Sequence, residues 1–474
     1  MKVTSHKSQV VIPIKNKTLQ KLMLLPLLSA ALLCLAFSRL NLGVIAWFGL
    51  VPFLLSINNV SLKKRLLLSF IFGFVFFMGA LYWLINVSLI GLTLLCLYLS
   101  CYILLFGAVT KKSDSRYCLF TIPLAWIAAE YARSYLLTGF GWALLGHSQF
   151  KNIYLIQISN VLGVWGISFI IVMVNVLISQ LIIKKFRICL HDPALWIVLL
   201  FVFVVYGYGA ICLQQPIPAL DLKISIIQPN IPQEQKWDPV YTKSILNRFA
   251  ELTTEAAKDH PDLIVWPETS VPGYLLDEPK LYKNITTLAQ EIKTNLLVGS
   301  PREDLARHKY YNSAFLFSPE GELLKYHDKI HLVPFGEYIP CEKILGFLYD
   351  AGIGDFSPGE KYTVFEVPNK KGQLVRFAVL VCFEDMFPSL VKKFHRQKAD
   401  ILITITNEAW FGISSEPIQH LAASVFRAVE NHSWFIRSAN TGISCFIDPQ
   451  GKIRAKVEQD NEDIFIPGFK TLSL

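Results

Sequence analysis

The sequence predicts a two-part protein, an α-helical membrane region followed by a layered α/β sandwich built on mixed sheet. Three observations carry this reading. Of 474 residues, 53% are hydrophobic and only 17% charged, with a mean hydropathy of +0.42, a balance that ordinary soluble chains do not show. Apolar runs long enough to cross a bilayer at helical rise recur up to about residue 214. From Leu222 onward, short β-rich runs alternate with amphipathic helical stretches, as in a layered α/β domain.

Residues 1–20 are polar and basic, with Lys2, Lys7, Lys15 and Lys17 and no acid. Seven apolar spans follow, at 21–38, 41–57, 68–86, 90–110, 117–137, 159–183 and 193–214. A basic head before an apolar run also describes a signal peptide, but here further apolar runs follow at once. The connections test the topology. Lys63-Lys64-Arg65, Lys111-Lys112 with Arg116, and Lys184-Lys185 with Arg187 fall in alternate connections, on the side of the basic amino terminus. The remaining connections hold little charge, chiefly Arg39 and Lys151. The positive-inside rule then places the amino terminus in the cytoplasm, and seven crossings leave everything after about residue 215 outside. The net charge of +9 is therefore topology rather than a nucleic-acid-binding face.

Within the fifth span Glu130 and Arg133 share a helix face at i, i+3 and are expected to pair. The Gly- and aromatic-rich stretch from Thr138 to His147 suits an interface with lipid headgroups. Of nine cysteines, Cys34, Cys96, Cys101, Cys118, Cys189 and Cys212 lie in the apolar part. With no CxxC pair and no His/Cys cluster at metal spacing, neither a disulfide framework nor a zinc site is supported.

In the second part, β-type runs are expected at Leu222–Gln228, Leu263–Trp266, Asn295–Val298, Ala314–Phe317, Phe377–Val381, Ile401–Thr406 and Ser444–Ile447, with helices at about 239–258, 279–293, 388–397 and 417–432. The run Phe377–Val381 ends in Cys382, followed by Phe383 and the acids Glu384 and Asp385. A thiol at a strand end is a candidate nucleophile, and it then needs a base for its proton and a cation for the charge that develops on the attacked carbonyl. Glu268, after Leu263–Trp266 and Pro267, and Lys329, between Asp328 and Ile330, are candidates for these tasks. Each adjoins a β-type run, so all three can meet at one sheet edge. Singly, each also has an ordinary reading as a small buried side chain, a turn carboxylate and a surface lysine.

Taken with the words around them, these residues resemble the nitrilase superfamily. The resemblance rests on Trp266-Pro267-Glu268-Thr269, on Lys329 with Val333-Pro334-Phe335-Gly336-Glu337 behind it, and on Val381-Cys382-Phe383-Glu384. It extends to Thr406-Asn407-Glu408-Ala409-Trp410-Phe411-Gly412, to Arg437-Ser438-Ala439-Asn440-Thr441-Gly442, and to Gln228-Pro229-Asn230 with Trp237. Seven preceding spans narrow it to the membrane branch, the bacterial apolipoprotein N-acyltransferases.

The resemblance implies a nitrilase-like α-β-β-α sandwich over 215–474 after a basic tail (1–20) and a membrane domain (21–214). It implies that Cys382 is acylated by a phospholipid and passes the chain to the α-amino group of a lipoprotein's amino-terminal diacylglyceryl cysteine. Glu268 is then the base, Lys329 the oxyanion stabiliser, and Glu337 and Glu384 supporting acids. No metal or organic cofactor is called for, and no nucleic-acid partner. The implied location is the bacterial inner membrane, with the catalytic domain periplasmic. Trp237, Tyr338, Phe383, Trp410 and Phe411 are candidate walls that keep water from the thioester. Phe383 stands where tyrosine is common, and Asn230 and Asn312 receive no assigned role. Members of the family usually have one more membrane helix after the sandwich, and Ile464–Leu474 contains no such run. Two rival readings remain: a membrane-tethered amidase, in which water resolves the acyl-enzyme, and an inactive homologue that binds lipid or lipoprotein.

Overall fold

The computed structural model describes residues 19–110, 117–184, 193–340 and 354–474. Lys2, Lys7, Lys15, Lys17, Lys111, Lys112, Arg116, Lys185, Arg187, Cys189 and Cys341 lie outside them. Among the described residues the amino-terminal half contains six long helices: α1 (Leu19–Ala36), α2 (Leu62–Ala80), α3 (Leu89–Val109), α4 (Cys118–Tyr135), α5 (Ser159–Ile183) and α6 (Pro193–Cys212). Among the described residues, α3, α5 and α6 are long and apolar enough to cross a membrane. Their outward side chains are apolar too, with Ile90, Leu94, Leu200, Phe203 and Ile211 all exposed. A helix that is apolar on its exposed face as well as its packed one has hydrocarbon as its solvent.

Three expectations for this half change. The stretch 41–57 is not one helix but a 3-10 turn, Gly43–Ile45, and two short helices, Ala46–Gly49 and Val51–Ile57. Its backbone is held by side chains of neighbouring helices instead: Leu50 N–H donates to Asn175 Oδ1 at 2.9 Å and Phe53 N–H to Ser29 Oγ at 2.8 Å. The next helix starts at Leu62, so Lys63, Lys64 and Arg65 occupy its first turn rather than a connection. Arg65 is buried and donates from Nε to Gly107 O at 2.6 Å, satisfying a carbonyl in the last turn of α3. Finally, Glu130 and Arg133 do not pair with each other. Glu130 accepts from Trp126 Nε1 at 3.0 Å and Leu145 N–H at 2.7 Å, while Arg133 donates to the carbonyls of Phe140, Trp142 and Ala143 at 3.0, 2.6 and 2.9 Å. Both hold backbone groups of the Gly-rich connection.

The described residues of the second half contain twelve strands: β1 (Lys223–Gln228), β2 (Leu263–Val265), β3 (Asn295–Asp304), β4 (Lys309–Phe317), β5 (Leu323–Asp328), β6 (Val364–Pro368), β7 (Leu374–Val381), β8 (Ile401–Thr406), β9 (Trp434–Ala439), β10 (Cys445–Ile447), β11 (Ile453–Lys456) and β12 (Gly468–Ser473). They form two six-stranded sheets, ordered β12-β1-β2-β3-β4-β5 and β11-β10-β9-β8-β7-β6. Both are mixed: β1, β2 and β3 run parallel, as do β7, β8 and β9, with antiparallel strands at the flanks.

Strand alternation sorts side chains to the two faces. Ile224, Ile226, Ile401, Ile403 and Ile405 share the core between the sheets, whereas Ile227 and Leu402 point to the outer faces. Helices α7 (Thr242–Ala257) and α8 (Pro279–Ile292) cover the first sheet, and α9 (Pro388–Arg396) and α10 (Glu416–Asn431) cover the second. This is the expected α-β-β-α sandwich. Beyond α10 the amino-terminal helices pack directly: Leu421 and Val425 of α10 share one apolar cluster with Ile167 and Ile171 of α5.

Candidate active site

Three strands deliver the three predicted residues to one end of the sandwich. Glu268 lies just past β2 and Lys329 directly after β5, both in the first sheet, and Cys382 follows β7 of the second. Glu268 and Lys329 are 7% and 1% exposed, so their charges need partners close by. Lys329 Nζ lies 2.9 Å from Glu337 Oε1 and 3.8 Å from Glu268 Oε1. Asn312 bridges the same two acids, donating from Nδ2 to Glu268 Oε1 at 2.8 Å and Glu337 Oε1 at 3.1 Å. The outer oxygens are held by main chain: Asn407 N–H donates to Glu268 Oε2 at 2.9 Å, and Val333 N–H to Glu337 Oε2 at 2.7 Å. The Glu268 segment crosses β3 closely enough that a Cβ on Gly299 would lie 2.6 Å from Pro267 O, so only glycine fits there.

Cys382 has φ +57°, a left-handed conformation that costs a non-glycine residue about 1–3 kcal/mol. Glu384 supports the turn. Its Oε2 accepts Val381 N–H at 2.7 Å, and its Oε1 accepts Ile330 N–H and His331 N–H at 2.7 and 2.9 Å. One buried carboxylate thus ties the strand end before the cysteine to the loop after the lysine. Phe383 places its ring 5.4 Å from Lys329 Nζ, a cation–π contact that needs the ring and no hydroxyl.

Burial, reinforced by Glu268, pushes the Cys382 thiol well above the ordinary range, with Lys329 pulling the other way. The resting group is therefore a thiol. Burial pulls the Lys329 ammonium down, but the neighbouring acids, Glu337 first and then Glu268, hold the pKa above that of an ordinary lysine. A buried base, a persistent cation and a protonated thiol are the set required for nucleophilic acyl transfer.

Two contributors escaped the sequence reading. Lys236 is 3% exposed and donates from Nζ to Glu268 O at 3.0 Å. Burial draws its pKa down to about 8, with Glu268 opposing. Nothing in its local sequence distinguishes it from a surface lysine. Asn312 stood in view, but only the fold reveals the two acids that it bridges. Of the candidate walls, Phe383 touches the site through Lys329. Trp237 and Trp410 are half exposed, and Tyr338 is partly buried in the turn where its carbonyl accepts Phe335 N–H at 2.8 Å. Phe411 instead packs edge-on against Trp83 of the membrane half, with centroids 4.8 Å apart.

A two-sheet sandwich with this strand-end constellation is a carbon-nitrogen hydrolase domain, and residues 223–470 match the carbon-nitrogen hydrolase family. Residues 29–177 match the apolipoprotein N-acyltransferase N-terminal domain. The apolipoprotein N-acyltransferase of Geobacter metallireducens is 40% identical over 457 residues, covering 91% of this chain and 86% of that protein. That of Chlorobaculum tepidum is 30% identical over 481 residues, covering 93% and 89%. The chain belongs to the apolipoprotein N-acyltransferase family. Among solved structures, a Saccharomyces cerevisiae member of branch 10 of the nitrilase superfamily is similar over 53% of this chain and 90% of that one, at 23% identity and a TM-score of 0.40.

Proposed function

We propose that this membrane protein transfers an acyl chain from a phospholipid to the α-amino group of a lipoprotein's amino-terminal diacylglyceryl cysteine, through a thioester on Cys382. The observation that carries the reading is the buried Glu268–Lys329–Glu337 cluster beside a strained strand-end cysteine. Glu268 accepts the thiol proton as Sγ attacks the ester carbonyl. Because burial keeps the thiol protonated at rest, proton transfer and attack belong to one step. Lys329 neutralises the oxyanion of the tetrahedral intermediate. Collapse breaks the ester C–O bond, and the departing lysophospholipid takes the proton from Glu268. The acceptor amine then attacks the thioester, Glu268 takes its proton, and collapse returns that proton to the thiolate of Cys382. The thioester keeps the ester's transfer potential, so the cycle needs no nucleotide.

Family membership, the convergence of the three residues and the basic-loop pattern support this reading. On the same grounds, residues 21–214 are the membrane domain of an inner-membrane protein with a cytoplasmic amino terminus, and residues 215–474 are its periplasmic catalytic domain. The half-exposed Trp237 and Trp410 suit walls that touch lipid.

The test is intact-mass analysis after incubation with a defined phospholipid and then with a diacylglyceryl peptide bearing a free amino terminus. An acyl adduct on Cys382 that moves to the peptide amine is expected. An adduct that goes to water instead marks a hydrolase, and a folded protein that never acquires one overturns the mechanism.

A further inference from the structure

Behind the site, on the side of the membrane helices, lies a second charged cluster: Asp385, Glu408, Glu416, His420 and Arg437, none more than 1% exposed. His420, on α10, makes 2.7 Å hydrogen bonds with both ring nitrogens, from Nε2 to Asp385 Oδ1 and from Nδ1 to Glu408 Oε1. Donation from both nitrogens requires the imidazolium. Burial and the Arg437 guanidinium, 3.3 Å from Nδ1, oppose that charge, but Asp385 and the hydrogen bonds to Asp385 and Glu408 outweigh them and lift the pKa to about 9. Arg437 on β9 completes the frame, with Nη1 3.1 Å from Asp385 Oδ2 and Nη2 2.5 Å from Glu408 Oε1. Ser424 Oγ donates to Asp385 Oδ2 at 2.6 Å. Burial and the neighbouring Glu408 keep Glu416 well above the carboxylate range, so it is neutral. The two carboxylates then balance the imidazolium and the guanidinium.

Each carboxylate belongs to a segment that carries part of the candidate chemistry. Asp385 lies in the same 3-10 turn, Cys382–Met386, as the nucleophile. Glu408 follows Asn407, whose N–H holds Glu268 Oε2 at 2.9 Å. A Cβ on Gly442 would fall 1.5 Å from Glu408 Oε2, so glycine at 442 is what leaves that acid its place. From the other side, Trp142 packs on the imidazole with centroids 5.4 Å apart. The adjoining Gln419 donates from Nε2 to Phe37 O and Ala80 O, both at 2.9 Å.

We propose that His420 is a positioning residue for the acyl transfer, holding the turn that carries Cys382 and the segment that clamps Glu268 in one geometry, braced from behind by the membrane helices. This rests on the acyltransferase reading above. Imidazolium suits the task because its two donors point to opposite edges of a rigid ring. Arg437 also touches both acids, but from β9 rather than from α10.

The test compares wild type with His420→Gln, following Cys382 acylation by a defined phospholipid through intact mass, together with the KM for lipid and the thermal midpoint. Glutamine has one amide donor group, so it reaches one acid at a time. Acylation is expected to slow by about 10²-fold, as for a displacement of about 1 Å at a reacting centre, with KM within about threefold of wild type and the variant folded at the assay temperature. Ser424→Ala, which keeps every charge and removes one donor to Asp385, is expected to slow it by about fivefold. A folded His420→Gln protein with a wild-type acylation rate, or one in which only KM changes, overturns the inference. If His420→Gln does not fold, a wild-type rate in Ser424→Ala overturns it. A wild-type protein that never forms the adduct removes the acyltransferase reading, and this inference with it.

Discussion

Helices α8 and α10 each cover one outer face of the sandwich, yet they meet different surroundings. In α8 the buried residues are Leu281, Ile285, Leu288 and Ala289, an i, i+4, i+7, i+8 stripe facing the first sheet. In α10, 14 of 16 residues are buried, so the polar side that an amphipathic helix normally shows to water is covered as well. Gln419, His420, Ser424 and Arg427 lie there, as hidden as Val425. The difference shows what the membrane helices add: they are a further packed layer of the catalytic domain, and Gln419 and His420 of α10 find their partners in that layer and in the loops of the site.

The proposed mechanism puts the chemistry at the strand ends that α10 supports, and the largest expected effects are there. Cys382→Ala abolishes the acyl adduct with the thermal midpoint retained. Lys329→Met, which keeps length but not charge, raises the acylation barrier by about 2.7–4 kcal/mol, measured as a single-turnover rate. Next come paired cavities. Leu421→Ala in α10 and Leu288→Ala in α8 are each expected to cost about 2–5 kcal/mol of stability, but only the first slows acylation at temperatures where both variants are folded. Equal slowing would erase the distinction between the two helices.

A smaller effect follows from pH. An unfolded imidazole titrates near 6.5, whereas folded His420 titrates at about 9. Its contribution is complete below about 6.5 and is lost as pH rises through about 9. The thermal midpoint should fall over that window, and His420→Gln should flatten the fall. Smallest of all, Lys283→Glu on the exposed side of α8 is expected to change stability by no more than about 0.5 kcal/mol in denaturant titration.

Sequence was most informative where one physical pattern dominated. Strands β1, β7 and β8 are buried apolar runs, and α7 to α10 have clear helical periodicity, so all were visible. Strands β5, β11 and β12 were not, because their side chains are half exposed and mix Lys325, Lys456 or Lys470 with apolar neighbours. Strand β9 was obscured for the opposite reason: Arg437 and Ser438 are fully buried within it, which burial rules based on polarity do not anticipate. The convergence of Glu268, Lys329 and Cys382 was legible through the motifs around them. Lys236, the Asn312 bridge and the second partner of His420 were not, since each depends on segments far apart in the chain. The Glu130/Arg133 spacing misled because local proximity on a helix competed with unsatisfied carbonyls of the connection, and the carbonyls won.

The protonated state of Cys382 has a consequence for the lifetime of the enzyme. Peroxide oxidation and disulfide exchange both proceed through the thiolate, and burial beside Glu268 keeps that form scarce. Under the proposed mechanism the Cys382 thiol is thus shielded from oxidants between turnovers by the same neighbours that surround it in the site, and a reactive sulfur is exposed only while an acyl donor is there to receive it.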